Sequence, residues 1–142
     1  MSRELLDRLE ILELYSRYAL GMDRADRELF VSAWAPDATF VCEALKLDAV
    51  GRDAILDWFD RGPGKGTPIP GAGGNVRLAG NHVIELAGDR ATGRAELAAF
   101  RYTGTVVHPY AIGSYDDVFV RTAEGWRIAH RDMVVNPVVP AP

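Results

Sequence analysis

Apolar residues at Leu5, Leu9, Leu12 and Ala19 recur at helical spacing, and Leu6, Ile11, Leu14, Tyr18 and Met22 widen that stripe. A helix this apolar over more than one face must lie against something large, most simply a sheet. The pattern predicts a long first helix that reaches Asp23, loosened near its end by Gly21. Tyr18 and Asp23 would sit about 140° apart on an unbroken helix at ~100° per residue, so the helix is expected to bend or end near Gly21 if the two are to meet. Asp26 is placed to cap a short helix from Arg27 to about Trp34. Pro36 and Asp37 then read as a turn, and Ala38 to Glu43 as a strand rich in β-branched and aromatic residues.

From Gly51 to Asp60 the period is helical again, with Ile55, Trp58 and Phe59 on the buried side. Gly62 to Gly74 is dense in Gly and Pro and reads as a mobile loop, a candidate lid. Four strands follow, Val76 to Ala87, Ala91 to Tyr102, Ala111 to Thr122 and Trp126 to Val135. Gly88-Asp89 and Ala123-Glu124-Gly125 make hairpin turns. The proline-rich tail 136–142 is expected to be irregular. Helices first and antiparallel strands afterwards is an α+β pattern, in which a strongly curved sheet wraps the long helix and encloses one apolar cavity.

The 142 residues suit one domain, and 48% apolar with 25% charged is ordinary for a globular chain. A net charge of −4 with no basic stripe argues against a nucleic-acid partner. The charged N-terminus and the lack of a long apolar run argue against a signal peptide or membrane span. One cysteine, Cys42, fits a reducing compartment, and the cytoplasm is the expected location. The histidines and Cys42 lack metal-ligand spacing, and GPGKGT and GAGGNV fail the phosphate-loop and dinucleotide patterns. No metal and no cofactor are expected, so catalysis here would be acid–base work.

The stretch ELYSRYALGMDRADRELFVSAWAPDATF resembles the opening of SnoaL-like proteins of the nuclear-transport-factor-2-like superfamily. The likeness continues through GRDAILDWF, NHVIELAGDRATGRAEL, GSYDDVFVR and GWRIAHRDMV. It implies a cone-shaped, cystatin-like α+β barrel, homodimerisation through the outer sheet face, and a small hydrophobic substrate inside. It also makes Asp23 the candidate proton-transfer group, because relatives such as scytalone dehydratase and lindane dehydrochlorinase use an aspartate there. By residue type alone, Asp23 reads equally as a helix-end cap. Arg77 stands where the resemblance expects a histidine, four residues before Asn81. Arginine cannot act as a base at neutral pH, but it can clamp an anion or hold Asp23 ionised. Met22 stands where scytalone dehydratase has a tyrosine.

Tyr18 is a candidate donor to a substrate oxygen, or a core tyrosine. His108, just after a strand and before Pro109-Tyr110, reads as a solvated loop histidine or, of the three histidines, as the best-placed neutral-pH proton shuttle. His82 is out of phase with Arg77 and Asn81, which sends it to the opposite sheet face. His130 shares a face with Trp126 and Ile128 and reads first as a satisfied core histidine and second as a candidate for the cavity wall. Trp34, Phe40, Trp58, Tyr102 and Tyr115 supply an aromatic wall that reads first as core and second as a ring-binding surface. The leading expectation is a dehydratase, lyase or isomerase acting on a cyclic or aromatic oxygenated compound. The alternatives are a non-catalytic binding protein or subunit, such as a ring-hydroxylating-dioxygenase small subunit, or an epoxide hydrolase or polyketide cyclase.

Overall fold

A computed structural model describes residues 2–65 and 73–138; the centre of the predicted Gly62–Gly74 loop and the tail from 139 onward lie outside them. Helix α1 spans Arg3–Asp23, opened by Ser2, whose hydroxyl accepts from the Leu5 N–H at 3.2 Å. The Asp26 carboxylate caps α2 (Arg27–Val31) by accepting from the Leu29 N–H at 3.0 Å. The sequence carried this helix on to Trp34. The structure instead starts β1 (Trp34–Cys42) there, and Pro36-Asp37 survives as a pairing irregularity within the strand.

A short turn and a left-handed Lys46 lead to β2 (Leu47–Val50), which was not anticipated, and then to α3 (Arg52–Arg61). Strands β3 (Gly74–Ala87), β4 (Arg90–Thr103), β5 (Val106–Thr122) and β6 (Gly125–Pro137) complete one sheet, ordered β2-β1-β6-β5-β4-β3. Among the described strands only the β1–β6 pair is parallel. The start of the tail is strand rather than irregular: Asn136 and Pro137 pair with Ile112 and Ala111.

The curved sheet packs on α1, but the buried stripe is not the one the leucine spacing suggested. It runs through Asp7, Ile11, Leu14, Tyr15, Tyr18 and Met22, while Leu5, Leu6 and Leu9 stay exposed. Asp7 is anchored by Arg121 Nη1 at 2.7 Å and Trp126 Nε1 at 3.0 Å. Those hydrogen bonds from Arg121 and then Trp126 hold its carboxyl at about 2. Helix α1 continues through Gly21 unbroken, because Gly21 serves close packing: a Cβ there would meet the Phe30 backbone at 2.7 Å.

Besides the irregularity in β1, sheet alternation is interrupted three more times, and each of these bulges changes which residues face α1. On β3 one extra residue lies between Gly80 and Val83, where Asn81 adopts φ 54°. This turns His82 inward, so it shares the inner face with Arg77 and meets Tyr15 at 4.5 Å between ring centroids. On β6, Ala129 is the extra residue between Ile128 and His130. Arg131 therefore faces the core and His130 turns out, with its Nδ1 2.6 Å from Thr39 Oγ1. On β5, Tyr110 is the extra residue opposite Ala99 and Phe100.

Candidate functional site

At one end of α1 the sheet leaves a cavity of about 320 Å³. Met22, Trp58, Leu97, Ala99 and Met133 give it apolar walls, and Arg77 and Tyr110 are its polar groups. That size and mixture suit a small, largely apolar ligand oriented by few polar contacts. A groove between α1 and β3, about 570 Å³, opens on the other side of the same arginine and contains Asp23, Arg24, Asn75 and His82. Arg77 thus stands between cavity and groove.

Asp23 ends α1 and Arg77 lies on β3, and the α1–β3 packing brings them together. The Arg77 backbone N–H donates to Asp23 Oδ2 at 2.8 Å, and its Nε–H donates to Oδ1 at 2.7 Å. Both side chains are nearly closed off, with 6% exposure for Asp23 and 13% for Arg77. Burial pushes the Asp23 carboxyl above its ordinary value of 3.8, against the opposing pull of the Arg77 charge and hydrogen bonds. Each carboxylate oxygen accepts one bond and keeps a lone pair for another proton. Arg77 Nη2 donates to the Tyr110 hydroxyl at 3.3 Å, which fixes a guanidinium and a phenol side by side on the cavity wall.

The other sequence candidates divide clearly. Met22 and Trp58 line the cavity. Tyr18 does not meet Asp23, because the straight helix carries it to another side. Its hydroxyl donates to Met133 Sδ at 3.8 Å, and burial raises its pKa above the ordinary tyrosine value. Trp34 and Phe40 are fully buried in an aromatic layer with Tyr18 and Phe30, and only Phe40 approaches the wall, through Trp58 at 5.4 Å. Tyr115 packs on Arg131, whose guanidinium carbon is 3.9 Å from the ring centroid. Tyr102 pairs with Gly74 and so faces away from Arg77. His130 is on the outer face, for the bulge reason above. His108 lies within β5 rather than after a strand, exposed and opposite Arg101 at the rim.

Two residues were missed and a third was placed on the wrong face. Tyr110 is out of phase with Ala111 until the bulge brings both to the cavity, and Pro109 within a strand was the available signal. Arg131 is wholly buried and paired with Asp117 through bonds of 2.8 and 2.9 Å. His82 reaches the groove, where its Nε2 is buried with no partner among the described residues. Among the described residues no group of three His, Cys, Asp or Glu side chains could hold a metal, and no helix is long and apolar enough to cross a membrane.

Comparison with known proteins agrees with this architecture. An NTF2-like protein with a cystatin-like fold from Novosphingobium aromaticivorans is 28% identical, with TM-score 0.80 over 94% of this chain and 84% of that one. A scytalone-dehydratase-like protein from the same organism is 21% identical, with TM-score 0.73 over 96% and 87%. LinA is 18% identical, with TM-score 0.78 over 98% and 96%. The last two likenesses are of fold. No curated protein sequence matches the chain. The sequence profile of the SnoaL-like domain matches residues 3–132, so the chain belongs to the SnoaL-like domain family.

Proposed function

We propose that this protein is a cofactor-independent acid–base enzyme, a lyase or isomerase, acting on a small hydrophobic, cyclic or aromatic, oxygenated compound in the cavity. The observation that carries the reading is a carboxylate closed off from water and pushed above its usual range, beside two fixed donors on an apolar wall. Asp23, on the groove side of Arg77, accepts a proton from the carbon next to a carbonyl of a substrate that reaches it past Arg77. Arg77 and Tyr110 donate to the oxygen as negative charge builds there, in the places first given to Tyr18 and His108. Asp23 then returns the proton, to another carbon in an isomerisation or to a departing hydroxyl in a dehydration. The same carboxylate could serve a cyclase or an epoxide hydrolase.

Deuterium exchange tests this without the natural substrate. In D2O, the wild type should speed loss of the α-protons of a cyclic ketone such as 2-tetralone, read by proton NMR. Asp23→Asn, nearly equal in shape, should lower that rate by ~10²–10⁴-fold while leaving the fold intact. Equal rates in the two proteins would sink the assignment. A second reading, a ligand-binding subunit without chemistry, has one observation behind it: Arg77, which cannot act as a base, stands where the resemblance expects a histidine. A stable complex with a different protein, together with no exchange, would favour it.

A further inference from the structure

The cavity rim carries a positive charge that the proposed chemistry does not use. Asp23 and Arg77 neutralise each other across 2.7 Å. Arg101, next along the inner face of β4 after Ala99, lies over the Tyr110 ring, its guanidinium carbon 5.0 Å from the centroid. Its Nε–H makes a long contact of 3.5 Å to Asn75 Oδ1. Among the described residues no carboxylate lies within salt-bridge distance of it. His108 is its direct partner across the β4–β5 ladder, so the neighbouring position supplies no negative charge either. In a chain with a net charge of −4, an arginine stacked on the ring of the cavity-lining Tyr110, its terminal nitrogens bonded to none of the described residues, is set up to receive an anion.

The geometry points to a carboxylic acid as the substrate class: a hydrophobic ring compound whose carboxylate sits on Arg101 while the ring enters the cavity. This rests on the functional reading above and narrows it. A single uncompensated guanidinium matches one charge, and its planar fork matches the two oxygens of a carboxylate. A phosphate dianion would need more donors than Arg101 and Asn75 provide. The interior beyond the rim, with Trp58, Leu97, Ala99 and Met133, is apolar and offers the anion no second cation except the occupied Arg77. The acid must therefore enter ring first. Stacking on Tyr110 holds the Arg101 plane in place, so part of the ordering needed for binding is already present in the free protein.

A matched pair of probes tests the inference: 2-naphthoate and 2-naphthaldehyde share a ring system and differ in charge. Dissociation constants are measured by titration calorimetry on the wild type and on Arg101→Gln. The wild type should bind naphthoate roughly tenfold more tightly than the aldehyde at low ionic strength, and the preference should shrink as salt is added. Arg101→Gln should lose the preference and keep the aldehyde affinity, which also reports that the variant is folded. Equal binding of the two probes by the wild type, or an undiminished preference in the variant, would overturn the inference. Aldehyde binding without naphthoate binding overturns it alone and leaves the functional reading standing. Binding of neither probe overturns both.

Discussion

Asp23 and Arg77 show how one residue changes the chemistry open to a site. A histidine opposite Asp23 could share its proton, whereas arginine keeps its own at neutral pH, so in the proposed function proton transfer falls to the carboxylate. The pair was legible because both residues sit in recognisable stretches, although nothing in the sequence said that Arg77 faces the carboxylate. Tyr110 was not legible, because its inward direction exists only through a bulge. Arg131 is the other residue with a large claim on the structure. It is fully buried, held by Asp117, and surrounded by the rings of Tyr15, Tyr18 and Tyr115 at 5.2, 4.4 and 3.9 Å. Replacing it with methionine strands the Asp117 charge in the core. Arg131→Met should therefore lose about 3–5 kcal/mol in urea denaturation, and adding Asp117→Leu should recover most of that loss. A single variant as stable as the wild type would show that Asp117 does not need the arginine.

Among the elements, α1, α3 and the β3–β6 hairpins were readable from periodicity and turn residues. Strand β2 was not, because four residues with burial alternating only twice give no usable period. The faces of β3 and β6 were misassigned for one reason: alternation assumes an unbroken ladder, and one inserted residue inverts every side chain beyond it. His82 provides a test. Burial, with the nearby Arg131 charge, lowers its pKa below the ordinary 6.5. Deleting Asn81 should remove the bulge and leave His82 alone between Gly80 and Val83, opposite Ala95 on the inner face, so its pKa, followed by NMR, should stay below 6.5. A pKa that rises to 6.5 after the deletion would mean that the ladder register does not hold His82 on the inner face.

For the whole molecule, the exposed side of the sheet has its own pattern. Leu78, Ile112 and Val134 are 59%, 54% and 50% exposed, and the register places Leu78, Ala98 and Ile112 in one row across three strands. Solvated strands ordinarily alternate to polar residues here, so an apolar row is a surface suited to a partner. We propose a second copy of the chain as that partner. Sedimentation velocity should show a dimer for the wild type and a monomer for Ile112→Glu; a monomeric wild type would remove the proposal. The curved sheet closing on α1 was legible from element order, but which groups point into the cavity depended on bulges and on the α1–β3 approach, and both are tertiary.

The central claim is that Asp23 is a buried base and not only one half of an ion pair. Two effects compete at its carboxyl, with burial raising its pKa and Arg77 lowering it, and burial prevails. Between 3.8 and the raised midpoint the folded state then binds the extra proton. The stability contributed by this group is present below 3.8 and is lost as pH rises through the folded midpoint. The direct measurement is a carbon-13 NMR titration of the Asp23 carboxyl carbon, assigned by comparison with Asp23→Asn. A midpoint above 3.8 is the predicted result. A midpoint below 3.8 would mean that Arg77 prevails, that the carboxylate is locked in a structural ion pair, and that the account of its chemistry is wrong.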